Sequence, residues 1–446
     1  MKKNEQWIIN ATLVTQNNKR DVYKKNIRIV DNQIVELTNK TPRTGNLLDA
    51  KGLFIFPGFI QTHIHLCQTL FRNLADDLEL LNWLKDRIWK LEAAHTKESL
   101  SISAQLGIAE LLSSGTTCIL DMGTVKHTEE IFKAAAKIGI RANIGKCLMD
   151  RRSQNPKDLC ENTESAISEA LELYQKWNGA KGDRLRASFA PRFVISCTED
   201  LLKQVAELSS LTGALVHTHA SENQKEIELV KKLTGKNNIQ YLDFIGLASS
   251  RLVLAHGVWP KKGELEVLKK TKSNVTHCPS SNLKLASGIA PIPEYLKSKI
   301  NVSLGADGAP CNNRLNVFDE MRLAALIHKP KYGPRAMPAH LILDLVTRNG
   351  AKALHWDDQI GSIEVGKKAD LVGIDLKQVE NFCSQDDNYQ AICSALVYST
   401  QSKNVQFTMV DGKILYKKGK LKGLNINQLL SNTATHLERF KSLIQS

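Results

Sequence analysis

The stretch Gly58-Phe-Ile-Gln-Thr-His-Ile-His65, GFIQTHIH, continues the apolar run Leu53-Phe-Ile-Phe-Pro57 and ends in two imidazoles one residue apart. A run this apolar predicts a buried strand. Side chains alternate faces along a strand, so His63 and His65 point to one side at its C-terminal end. Further strand-like runs follow: TTCILDMG (116–123), RANIGKCL (141–148), LRASFAPRF (185–193), ALVHTHA (214–220), LVLAHG (252–257), NVTHCP (274–279) and INVSLGAD (300–307). Helical patterns separate several of them, including SLSISAQLGIAELLSSG (99–115), HTEEIFKAAAKIG (127–139), LLKQVAELSSLTG (201–213) and KEIELVKKLTG (225–235), each ending at a glycine suited to a helix C-terminus. Eight β/α repeats predict an α/β protein built on a TIM (β/α)8 barrel. The alternative, a doubly wound sheet, lacks a Gly-rich turn after its first strand to cradle a dinucleotide.

Both chain ends read as β-rich. QWIINATLVT, NIRIVDNQIVELT and LLDAKGLFIFPG lie at the start; GSIEVGKKADLVGIDL, AICSALVYST and NVQFTMVDGKILYKKGKL lie at the end, the last with an Asp411-Gly412 hairpin signal. The expectation is a small β-sandwich domain assembled from residues 1–56 and 364–446, the latter with a C-terminal helix, around a barrel domain spanning 57–363.

With 446 residues and 42% hydrophobic side chains the chain can bury sizeable cores. Its formal charge of +14 is spread over short pairs such as Lys2-Lys3, Lys231-Lys232, Lys261-Lys262, Lys269-Lys270 and Lys417-Lys418, without a long basic run or interleaved aromatics. That pattern is read as a solvated surface, and neither a nucleic-acid nor a membrane partner is expected. Nine cysteines contain no Cys-x-x-Cys pair, which argues against a disulfide framework or zinc ribbon and fits a reducing cytoplasm. No signal peptide is read, and no window approaches the roughly 18–20 apolar residues of a membrane span.

In a TIM barrel the functional end is where strands finish in the C-terminal direction. His63 and His65, His219, His256, His277 and Asp307 all fall there. One such histidine alone is more often a hydrogen-bonded core or loop residue than a ligand. Convergence changes that reading: imidazoles from separate strands with a carboxylate from another supply the N/O set of a catalytic divalent metal site, zinc first and iron as the alternative. Glu222, three residues past His219, is placed for proton transfer, although an acid there also favours the dipole of the helix that follows.

These residues lie in segments that resemble the amidohydrolase superfamily, in its branch of methylthioadenosine/S-adenosylhomocysteine deaminases, 5'-deoxyadenosine deaminases, guanine deaminases and s-triazine hydrolases. The resemblance is carried by PGFIQTHIHLCQTLFRNLADDL (57–78), HTHASENQKE (217–226), LAHGVW (254–259), HCPSSNLKLASGIAP (277–291), SLGADGAPCNN (303–313) and GSIEVGKKADLV (361–372). It implies metal ligation by His63, His65, His219 and Asp307, with Asp307 also activating water. It implies acid/base transfer by Glu222 and substrate orientation by His256, and a supporting role for His277 is read from its place in HCPSSN. The fourth strand carries no lysine to bridge two metals, so one ion is expected. The implied reaction is hydrolytic deamination of a cyclic amidine.

The resemblance also bears on the substrate. LLNWLKDRIWKLEAAHT looks like the segment that gives adenosine-type deaminases a tryptophan against the base and a glutamate for the ribose, matched here by Trp83 and Glu92, with Trp89 nearby. The same residues also read as the core stripe and exposed face of an amphipathic helix. Arg192 and Phe193, with Gln68, instead look like the oxopurine contacts of guanine deaminases. An adenosine-type nucleoside of the 5'-deoxyadenosine, methylthioadenosine or S-adenosylhomocysteine class is the leading expectation. Guanine, 8-oxoguanine or pterin deamination and s-triazine hydrolysis are the alternatives, and a non-catalytic barrel binding protein the remote one. A homo-oligomer, dimer or tetramer, is expected only from the habits of relatives.

Overall fold

The computed structural model describes residues 5–42, 45–383 and 387–445; the Lys2-Lys3 pair lies outside them. The strand ending in His63 and His65 spans Phe59–His65 and is buried throughout. It is followed in the sheet by Thr116–Asp121, Arg141–Leu148, Leu185–Pro191, Val216–Ala220, Leu252–His256, Asn274–His277 and Asn301–Leu304, each parallel to its neighbour. A two-residue piece, Asp307–Gly308, pairs back onto Ile64 and His65 of the first strand and curls the sheet into a TIM-like barrel.

The eighth strand is interrupted where backbones crowd. A Cβ on Gly305 would lie 2.6 Å from the carbonyl oxygen of His63, so only glycine passes there. Below the histidines the barrel interior is polar: Thr62 Oγ1 bonds to the hydroxyls of Thr276 and Ser303 at 2.8 and 2.6 Å. Gln61 donates to Thr116 Oγ1 and accepts from the Ala306 amide, stitching the first strand to its neighbours.

The helices form where apolar periodicity and caps coincide. In Glu199–Thr212, Thr198 caps the first turn, Leu201, Leu202 and Val205 face inward, and Gly213 ends it at φ 75°. Each fully buried leucine contributes about 2 kcal/mol of transfer free energy.

The chain ends build two small sheets. One orders Gln33–Thr38, Asn26–Val30, Glu5–Ile9 and Asn46–Asp49. The other joins Thr12–Val14, Val22–Lys24 and Phe54–Pro57 to Leu371–Ile374, Val405–Val410, Lys413–Lys417 and Lys420–Leu421, so both termini share one sheet. Ile8, Ile27 and Ile29 of the first sheet pack with Leu13, Ile55 and Phe407 of the second in a common core. Arg141 on the third barrel strand, fully buried, forms a two-pronged ion pair with Asp370, tying barrel to sheet.

Two readings are corrected. AICSALVYST is helical, Tyr389–Tyr398, capped by Asn388; its buried Ile392, Cys393, Leu396 and Val397 follow the helical period, and short apolar runs do not separate strand from helix. Within GSIEVGKKADLVGIDL only Leu371–Ile374 is a strand. The last helix, Ile426–Gln445, packs on Lys97–Ser113 and the turn Leu66–Phe71, with Phe440 against Phe71 and His95. Among the described residues no helix is long and apolar enough to cross a membrane.

Candidate active site

His63, His65, His219, His256 and Asp307 meet at the C-terminal mouth of the barrel. One nitrogen from each of His63, His65 and His219 lies within 4.8 Å of the others, and His63, His256 and Asp307 make a second such set. His63 Nε2 and His65 Nε2 stand 3.2 and 3.4 Å from Asp307 Oδ1, and His65 Nε2 is 3.2 Å from His219 Nε2. Two of these residues are held in unusual backbone: His256 at φ 77° and Asp307 at φ 64° lie in the left-handed region, a cost that recurs at functional sites.

The supporting contacts aim the ligand atoms. His219 Nδ1 donates to the carbonyl of Arg192 at 2.7 Å, and His256 Nδ1 to Asn282 Oδ1 at 2.8 Å. Ser281 Oγ donates to Asp307 Oδ2 at 2.6 Å and the Gly308 amide to Oδ1 at 2.8 Å, the oxygen that His63 and His65 also face. His63 Nε2 is buried without a hydrogen-bond partner. A buried ring nitrogen left open, facing three other imidazoles and a carboxylate, is the donor set of a metal-binding His/Asp cluster.

Charge follows burial. Burial holds His63, His65 and His219 below the ordinary histidine range, so they are neutral and ligand-competent. Burial disfavours ionised Asp307, but His63, His256 and His65 outweigh it and keep the carboxyl well below its usual value. Burial pushes Glu222 up to about 7, with His256 pulling the other way. For His256, burial is outweighed by the carboxylates of Glu222, 3.5 Å away, and Asp307, and its basicity rises.

A small pocket opens onto this cluster. Leu80, Trp83, Leu84, Phe193 and Leu285 form apolar walls; Gln68, Arg192, Glu222 and Glu226 add polar groups. Trp83 comes from one continuous helical stretch, Leu80–Trp83, Leu84–Ile88 and Trp89–Ala93, wound as π-helix in the middle. Glu92, Trp89 and His277 do not line the pocket. Glu92 lies behind it, its carboxylate taken by both terminal nitrogens of Arg192 (2.5 and 3.1 Å) and by Gln68 Nε2 (2.8 Å). Trp89 is packed in the main core, and His277 turns to His328, 3.4 Å between ring nitrogens.

The structure also brings in residues the sequence reading passed over. His217 lies 2.8 Å from His63 Nδ1; Ser287 donates to Glu222 Oε1; Glu226 accepts from the Glu222 amide; Asn282 and Ser281 hold His256 and Asp307. Only His217 carried a signal, since it precedes His219 by two on one strand and so shares its face.

A buried His/Asp cluster at the mouth of a TIM-like barrel, with an acid poised beside it, defines the class of metal-dependent barrel hydrolases. The chain belongs to the amidohydrolase family, whose pattern it matches over residues 54–415. It is 37% identical over 421 residues to a 5'-deoxyadenosine deaminase of Methanobrevibacter smithii, covering 94% of each chain. It is 34% identical over 428 residues to a 5-methylthioadenosine/S-adenosylhomocysteine deaminase of Pelotomaculum thermopropionicum, covering 94% of this chain and 95% of that one. The crystal structure of an adenosine deaminase from Xanthomonas campestris with bound zinc superposes with a TM-score of 0.90 at 27% identity, covering 98% of each chain.

Proposed function

We propose that the protein is a zinc-dependent hydrolytic deaminase of an adenosine-type nucleoside of the 5'-deoxyadenosine, methylthioadenosine or S-adenosylhomocysteine class. The observation that carries this reading is that Glu222 Oε2 and Asp307 Oδ2 both approach His256 Nε2, at 3.5 and 3.9 Å, in the lining of an apolar-walled pocket. Full-length likeness to deaminases of such nucleosides supports it.

His63, His65, His219 and Asp307 would hold the ion, with His256 close by; iron suits the same donors. When bound, such an ion supplies Lewis acidity and lowers the pKa of water towards neutrality. Asp307, kept ionised by its imidazole neighbours, accepts a proton from the attacking water. Glu222 carries a proton to the ring nitrogen next to the carbon under attack, for which a carboxyl near neutrality is suited. His256, more basic than an ordinary histidine, orients and polarises the attacked carbon's substituent. Asp307 passes the proton it took from water to the amino group, which leaves the tetrahedral carbon as ammonia as the added hydroxyl gives its remaining proton to Glu222 and becomes the ring carbonyl. Trp83 and Phe193 supply flat apolar surface for a purine.

The oxopurine alternative would use Arg192 as a donor to a ring carbonyl; Glu92 takes one N–H from each of its terminal nitrogens and leaves others at the pocket wall, so it is the full-length likeness to nucleoside deaminases that favours the nucleoside class. The test is ammonia release by the zinc-loaded enzyme from 5'-deoxyadenosine, methylthioadenosine, S-adenosylhomocysteine, adenosine and guanine. Turnover of the first three ahead of guanine is expected; turnover of guanine alone would overturn the substrate class, and no turnover after zinc or iron loading would overturn the enzyme reading.

A further inference from the structure

The fifth strand carries a second imidazole on the face of His219. His217 is fully buried, makes no contact with the pocket, and meets one polar partner: its Nε2 lies 2.8 Å from His63 Nδ1, the rings nearly perpendicular at 86°. We propose that His217 is a positioning residue that fixes the tautomer of His63, and through it the metal affinity of the site.

A neutral imidazole has one N–H and one lone pair, and a ligand nitrogen must offer the lone pair. His63 turns Nε2 to the cluster, so its proton belongs on Nδ1. That proton is donated to His217 Nε2, the one acceptor Nδ1 meets. His217 must then carry its own proton on Nδ1, a nitrogen buried with no hydrogen-bond partner. With the protons reversed, Nε2 of His217 would donate, His63 Nδ1 would accept, and the His63 proton would sit on the nitrogen that faces the cluster.

Two of the other imidazoles show why this contact differs, whereas His65 Nδ1 is buried without a hydrogen-bond partner. His219 and His256 direct their Nδ1 at the Arg192 carbonyl and the Asn282 amide oxygen, acceptors that leave one tautomer open to the ring. His63 instead depends on a partner with two tautomers of its own, so the ligand state of His63 is set by a residue that touches neither metal nor substrate. Outer partners of this kind typically govern metal affinity by about 10–100-fold.

The experiment uses two replacements of similar length. His217→Gln puts an amide oxygen near the place of Nε2, whereas His217→Met fills similar space with only a weak acceptor. The zinc dissociation constant of the full-length protein is measured by competition with a chromophoric chelator, and folding of each metal-free variant by circular dichroism. His217→Gln is expected within about threefold of the native affinity and His217→Met at least about tenfold weaker. A Met variant less than tenfold weaker, or a Gln variant more than threefold weaker, overturns the proposal. If the Met variant does not fold, the Gln variant decides by the same threshold. The inference rests on the cluster being a metal site, and the two failures are distinguishable: native protein that binds no zinc defeats the site itself.

Discussion

Replacing Glu222 by Gln isolates the proton-transfer step from metal binding. The substitution keeps the side chain's shape and an acceptor for the Ser287 hydroxyl, 3.2 Å from Oε1, and Glu222 belongs to neither ligand set. What it removes is a titrating group. At pH 7 a carboxyl of ordinary pKa 4.5 carries its proton about 0.3% of the time, whereas at about 7 it carries one about half the time, so burial raises the acid form by about two decades. General acid/base groups contribute about 10²–10⁴-fold. Turnover of 5'-deoxyadenosine, followed by ammonia release, should therefore fall by about 10²–10⁴, about 3–5 kcal/mol of barrier. Bound zinc, measured by atomic emission, should stay at the native stoichiometry. A variant with full metal and kcat within tenfold of native would refute the assignment of Glu222 as the proton carrier.

Further substitutions test the frame around it. Glu92→Ala leaves the buried Arg192 guanidinium without its counter-charge and should lower the unfolding free energy in urea by about 3–5 kcal/mol; a loss under about 1 kcal/mol would mean the pair is not intact in solution. Glu320, buried between Ser280 and Asn312, has its pKa pushed up to about 7 by burial. The folded state therefore holds a proton that the unfolded state releases above 4.5, and this contribution is lost as pH rises from about 4.5 through 7. Glu320→Gln should gain on the native protein across that window, by up to about 3 kcal/mol above pH 7; a pH-independent difference would contradict it. Phe440→Ala removes the ring that packs on Phe71 and His95, and should speed amide exchange in residues 66–71 and 89–93, which carry Gln68 and Glu92, without changing zinc content. Unchanged exchange there would separate the last helix from the pocket.

The barrel and its histidines were legible because one rule, period-two alternation ending at the strand's C-terminus, constrains both burial and chemistry. Phe59–His65 had to bury its apolar residues, and that fixed where His63 and His65 point. The rule applies equally to His217, yet its meaning depends on a ring 154 residues earlier in the chain, and no local pattern states that distance. The same limit governed Glu92 and Arg192. Read separately, each is a polar residue suited to a substrate; 100 residues apart, they meet as a buried ion pair. Residues 391–400 failed for a different reason, because a short apolar run has no phase until a neighbouring surface gives it one.

The ion pair also changes how selectivity must be argued. A ribose hydroxyl approaching Glu92 meets a carboxylate that already accepts three hydrogen bonds, from Gln68 Nε2 and both Arg192 terminal nitrogens. A purine carbonyl approaching Arg192 meets a guanidinium whose terminal nitrogens already donate to Glu92. Each terminal nitrogen of Arg192 keeps a second N–H and Glu92 keeps one acceptor site, but truncating one partner leaves the other charge uncompensated. Under the proposed function, selectivity is to be tested on Gln68, Glu92 and Arg192 as one unit, because single substitutions within it will report stability and recognition together unless both are measured.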